Sequence, residues 1–110
     1  MTDKFMRLIV MFDLPTSTAT DRKQATQFRN FLLKDGYHML QFSIYTRVCN
    51  GLDAVKKHRL RLKANIPKDG AIRSLVITEK QFENIDILLG ERNKYEKLEG
   101  GKHHTQLTFF

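Results

Sequence analysis

The sequence predicts an α+β fold in which two helices lie across one face of an antiparallel sheet. Three observations carry this expectation. The apolar run Leu8–Phe12 is β-branched at its centre and closes on Asp13-Leu14-Pro15, which suits a central strand buried on both faces. Two segments with helical spacing of apolar residues follow, each leading into a β-rich stretch. The order is then strand, helix, strand–strand, helix, strand, the βαββαβ pattern of a ferredoxin-like sandwich. At 110 residues the chain holds one such core and not two.

Each element has its own local reason. Asp13 stands where the first strand leaves the core, before a proline that cannot donate to the ladder. An acid at the carboxyl end of a central strand, facing a strand-to-helix loop, is a common ligand or metal position; it can also simply fix the turn. Thr18 can cap the first helix, with Asp21 completing a capping box. Ala25, Phe28, Phe31 and Leu32 form its buried face, and Arg22, Lys23, Gln27, Asn30 and Lys34 lie mostly opposite. Gly36 ends it. Arg22 and Lys23 fall in the first turn, where cations oppose the helix dipole; they mark either a bound anion or two solvated charges.

Tyr37 to Val48 reads as two short strands with a tight bend, or as one bent strand. Phe42, Ile44, Thr46 and Val48 alternate with Ser43, Tyr45 and Arg47, so one face is apolar and the other carries hydroxyls and a guanidinium. A second helix spans about Leu52 to Asn65 with Leu52, Val55, Leu62 and Ile66 inward. Its run Lys56, Lys57, His58, Arg59, Arg61 and Lys63 is the densest basic stretch, either a solvated face or a phosphate footprint. Pro67–Gly70 is a turn, Ala71–Thr78 a strand, and Thr78–Phe82 a short capped helical turn. Residues 1–90 make the ferredoxin-like domain, 91–104 a charged linker, and 105–110 a C-terminal strand that needs a partner edge, preferably on a second copy. His103 and His104 read as structural.

Nineteen Lys and Arg against twelve Asp and Glu leave a net charge of +7, which points to a polyanionic partner, nucleic acid first. An anionic membrane is the competitor. No segment combines a large apolar face with a basic one, none is long enough to span, and no signal-peptide pattern opens the chain; it reads as cytoplasmic. Cys49 is the only cysteine, which excludes an intrachain disulfide and a cysteine-based zinc site. No phosphate loop, HExxH, GxSxG or Ser/His/Asp set is present. One strand-end aspartate is thin equipment for a hydrolase, but a two-fold axis near Asp13 would join two carboxylates. Such a pair can hold one hard cation, Mg²⁺ by preference, beside a phosphodiester.

Met6–Pro15, the helix start Thr18–Lys23, the segment Gln41-Phe42-Ser43-Ile44-Tyr45 and the segment Thr78–Phe82, in this order and spacing, resemble the small CRISPR-associated adaptation protein, the second of the two universal spacer-acquisition subunits. The resemblance covers essentially the whole chain and is closest to the type II variants. It implies a homodimer in which the C-terminal strand of one chain joins the other chain's sheet. It makes Asp13 the catalytic, metal-binding aspartate, one from each protomer, with Mg²⁺ as cofactor. It implies an Mg²⁺-dependent endonuclease acting on single-stranded RNA or double-stranded DNA. In the adaptation complex the dimer bridges two dimers of the CRISPR integrase and lies along the captured duplex. Arg22 and Ser43 match contact or catalytic-support positions. Lys23, Arg47, Lys63, Lys68 and Arg73 are added as nucleic-acid contacts on charge alone. A stand-alone, toxin-like ribonuclease is the alternative, since relatives of this fold act that way.

Overall fold

The computed structural model describes residues 4–90. The expected linker, His103 and His104, and the expected strand 105–110 lie outside the described residues. The elements are β1 (Phe5–Asp13), α1 (Ala19–Lys34), β2 (His38–Gln41), β3 (Ile44–Asn50), α2 (Leu52–Lys63), β4 (Ala71–Thr78) and α3 (Glu79–Glu83). The sheet order is β2-β3-β1-β4 and every neighbouring pair is antiparallel. This is the ferredoxin-like α+β sandwich, with β1 at the centre.

Alternation along β1 sorts the two faces. Leu8, Val10 and Phe12 point at the helices and pack with Phe28 and Leu32 of α1, Val55 and Leu62 of α2, and Tyr45. Burying each such side chain contributes on the order of 1.5–3 kcal/mol. Phe12 meets Phe28 edge-on at 5.2 Å between centroids, a favoured aromatic geometry. The opposite face starts with Arg7 and Ile9, also buried, so the centre of β1 is covered on both sides. Across that second face α3 is clamped to the strand. The Arg7 guanidinium donates to both carboxylate oxygens of Glu79, at 2.8 and 2.5 Å, and lies 3.9 Å from the Phe82 ring centroid. A two-pronged bond to a carboxylate is how a buried arginine is satisfied.

Local signals explain the helix starts. Thr18 and Asp21 form a reciprocal capping box on α1, and Thr78 and Gln81 form another on α3. The Tyr37–Val48 region resolves as a hairpin, with Phe42 and Ser43 between β2 and β3 and a register shift between Met39 and Gln41.

Two expectations change. The hydroxyl-and-guanidinium side of β3 is the inner one: Tyr45 pairs with Val10 and Arg47 with Leu8, so the Tyr45 ring joins the core, at 5.6 Å from Phe12. Ile44, Thr46 and Val48 take the open face, where the Thr46 hydroxyl donates to the Leu8 carbonyl at 3.0 Å. On α2, which ends at Lys63, Leu52 is exposed, as is Ile66 in the loop beyond it, and His58 is buried with Val55 and Leu62. His58 lies three residues after Val55 and four before Leu62, the same helical stripe.

Candidate active site

The end of β1 is the candidate site. Asp13 is exposed and pairs across the ladder with Ala71 of β4. Among the described residues no ion pair neutralises it. Its backbone is held from three directions. On one side the preceding residue, Phe12, donates its amide to the Ser43 carbonyl at 3.0 Å, which ties the hairpin tip to the strand end; Ser43 sits at φ 66°. On the other side Gly70 approaches so closely that a Cβ there would lie 2.8 Å from the Asp13 carbonyl oxygen. Below, the loop that leaves Asp13 is held by Arg22, which donates to the carbonyls of Thr16 at 3.0 Å and Ser17 at 3.4 Å.

The fold gathers most of the expected residues at this end. Arg22 and Lys23 stand in the first turns of α1. Lys68 sits in the α2–β4 loop, and its amide donates to the Gln24 side chain of α1 at 3.2 Å. Lys63 closes α2 immediately before that loop. Arg73 lies on β4 opposite Met11, two positions from Asp13 and on the same face. Lys23, Lys63, Lys68 and Arg73 are all exposed. Exposed carboxylates, Asp13 and Asp69, thus share this end of the fold with several exposed cations, an arrangement suited to a polyanion with a metal ion at the acid.

Arg47 does not join them. It lies under α2 in a buried charge cluster. The Asp35 carboxylate, at the end of α1, accepts from Arg61 at 2.5 Å and from His58 Nδ1 at 2.9 Å. Arg47 donates to the Asp35 backbone carbonyl and to the Val48 carbonyl. His58 Nδ1 also lies 3.3 Å from the Arg47 guanidinium. The Tyr37 hydroxyl is buried beside this cluster without a hydrogen-bond partner. Burial, with the Asp35 charge adding to it, pushes that phenol far up from its ordinary value. Burial also pushes the Cys49 thiol up.

Gly70 and Gln24 hold this end of the fold without being readable from the sequence as parts of it, and Phe42 stands at the neighbouring hairpin tip. Gly70 had a signal in Asp69-Gly70, read only as a turn. Phe42 was assigned to an apolar strand face, and instead occupies the hairpin tip.

Comparison with known proteins places the chain. Residues 6–85 match the family model described as CRISPR associated protein Cas2. The chain belongs to the Cas2 family. A relative from Acidovorax ebreus, named CRISPR-associated endoribonuclease Cas2, is 53% identical over 85 residues, 77% of this chain and 83% of that one. One of the same name from Campylobacter jejuni is 46% identical over 108 residues, 98% of this chain and 73% of that one. A third, from Streptococcus mutans, is 48% identical and covers 80% of this chain and 81% of its own. A solved structure described as a crystal structure of cas2 superposes with a TM-score of 0.56 at 19% identity, over 82% of this chain and 91% of that one. That likeness supports the fold; the sequence relatives carry the Cas2 membership. No helix among the described residues is long and apolar enough to cross a membrane.

Proposed function

We propose that this Cas2-family chain is a cytoplasmic subunit of CRISPR spacer acquisition, working as a homodimer that binds duplex DNA, bridges integrase dimers, and carries an endonuclease site at Asp13. The observation that carries the reading is the exposed Asp13 at the end of the central strand, without an ion-pair partner among the described residues, at the same end of the fold as Arg22, Lys23, Lys63, Lys68 and Arg73. The names of the relatives, which describe endoribonucleases, support RNA as a substrate.

Among the described residues of one chain no three metal-ligating side chains cluster. Mg²⁺ would keep several waters and be held through one or two carboxylates plus substrate phosphates. A second copy would supply the second Asp13. What the ion supplies when bound is an activated water and a stabilised leaving oxygen. The chain's own residues do the rest. Arg22 keeps the loop below Asp13 in place, Ser43 and Gly70 hold the strand end, and the cations position the phosphate backbone, which fixes orientation without reading sequence. The edge of β4, unpaired among the described residues, and the partly exposed Val48 and Leu75 on the open sheet face support association of two copies.

The test is spacer acquisition in cells carrying the array and the integrase, with this gene intact, deleted or changed to Asp13→Asn. Loss on deletion but not with Asp13→Asn identifies a scaffold whose chemistry is dispensable. Loss in both, with dimer and DNA binding retained, places the metal site in the mechanism. Acquisition that continues after deletion overturns the adaptation role, and growth arrest on expression without the integrase then favours the stand-alone ribonuclease.

A further inference from the structure

Phe42 is the most exposed aromatic residue among the described residues. Phe12, Phe28 and Phe82 are buried in the sandwich, and Phe31 packs against its core. Phe42 is 84% exposed in the two-residue connection between β2 and β3, where hairpins favour Gly, Asn or Asp. It is therefore neither a turn former nor a core residue, and its ring gains nothing from the folded chain. Its position is specific. The next residue, Ser43, accepts the amide of Phe12 at 3.0 Å, and Asp13 follows Phe12. The ring and the carboxylate stand at the ends of adjacent strands, which run about 4.8 Å apart. Arg73 lies on the same face as Asp13, and Arg22 holds the loop beneath it.

An exposed ring at the same end of the sheet as an exposed carboxylate and several cations suits an unpaired nucleotide. The cations take the phosphates, and the ring takes the π-face of a base. In a duplex each base is already stacked on its neighbours and offers no free face. Stacking on an aromatic side chain is sequence-tolerant because every base has such a face.

We propose that Phe42 is a stacking platform for an unpaired nucleobase next to the phosphodiester at Asp13, and that it sets the preference of the site for single-stranded over duplex nucleic acid. This rests on Asp13 being the endonuclease site. The ring touches the substrate base and takes no part in bond breaking.

The experiment measures binding without cleavage, in EDTA, of a short single-stranded RNA carrying one 2-aminopurine, and of the same sequence as a duplex. The proteins are the full chain and its Phe42→Leu and Phe42→Trp variants. Phe42→Leu leaves an exposed apolar residue and does not touch the core. It is expected to weaken single-strand binding by about 5- to 150-fold, the usual cost of losing one stacked base, and to leave duplex affinity unchanged. The quenching of 2-aminopurine is expected to vanish in Phe42→Leu and to return in Phe42→Trp. Equal loss on both ligands, or no loss on either, overturns the proposal. So does a dimer that sedimentation shows falling to monomer in Phe42→Leu, because the ring would then belong to the contact between copies. Cleavage with Mg²⁺ is scored separately. A wild-type chain that binds and quenches but never cleaves refutes the endonuclease reading and leaves the stacking platform standing.

Discussion

Gly70→Ala should damage the Asp13 strand end, and Gly51→Ala provides the internal control. Both glycines have backbone angles that side-chain-bearing residues rarely adopt, φ +111° at Gly70 and φ +94° at Gly51. Holding alanine there costs on the order of 1–3 kcal/mol at either site. The surroundings differ. A Cβ on Gly51 meets nothing within 4 Å, whereas one on Gly70 lies 2.8 Å from the Asp13 carbonyl oxygen and 2.7 Å from Leu14 Cδ2. The leucine methyl can swing away, but the Asp13 backbone sits in the ladder opposite Ala71 and cannot yield without losing register. Overpacking of that kind adds roughly 1–3 kcal/mol. At about 4–8 °C per kcal/mol for a domain of this size, Gly70→Ala should melt clearly below Gly51→Ala. The assay is paired: thermal unfolding of both variants, then cleavage of single-stranded RNA well below both melting temperatures. Gly51→Ala should cleave as the wild type does, and Gly70→Ala should lose cleavage while still folded. Equal melting temperatures, or full activity in folded Gly70→Ala, would refute the reasoning.

Two further expectations concern the buried cluster. Tyr37→Phe removes a hydroxyl that is buried without a partner, so stability at pH 7 should hold or rise by about 1 kcal/mol; a clear loss in urea unfolding would show that the hydroxyl is satisfied. Because the folded-state phenol titrates above the unfolded one, its contribution to wild-type stability should be fully present below about pH 10 and fall as pH rises beyond it, while that of the Cys49 thiol starts to fall lower, above about pH 8.5. Tyr37→Phe should flatten that decline and leave only the contribution of the Cys49 thiol, whose shift has the same sign. Asp35→Ala leaves His58 and the guanidinium of Arg61 without their shared carboxylate. Breaking a buried pair costs about 3–5 kcal/mol, and the half-exposed Arg61 lowers this to roughly 2–4 kcal/mol by solvent screening. A urea midpoint unchanged from wild type would refute it.

Periodicity made the framework legible. Leu8–Phe12 signals a central strand because its residues must suit both faces of a sheet, and Thr18 with Asp21 signals a helix start because both partners lie within one turn. Asp13 was legible for the same local reason, since proline closes the strand one residue later. The buried cluster was not. Asp35, Arg47, His58 and Arg61 lie on three different elements, and within α2 a buried histidine reads like its solvated neighbours Lys57 and Arg59. The stripe Val55–His58–Leu62 was the available signal, masked by the charge run around it. Arg7 was hidden differently, because its partner Glu79 is 72 residues away. On β3, alternation identified two faces correctly and could not say which was inner; the register with Val10 and Leu8 decides that.

The central place of β1 has a consequence for synthesis. Of the described strands it is the first made, and among the described residues it pairs with β3 and β4, while the residue that clamps its second face is Glu79. At about 5–20 residues per second, the apolar run Leu8–Phe12 waits roughly 4–14 s between its own emergence from the ribosome and that of its last partner. Helix α1 can form meanwhile and lay Phe28 and Leu32 over one side. The other side, with its bare ladder edges, stays open until β4 arrives. The nascent chain is thus most prone to misassociation before residue 78 is made, and a truncation ahead of β4 should yield an aggregating species.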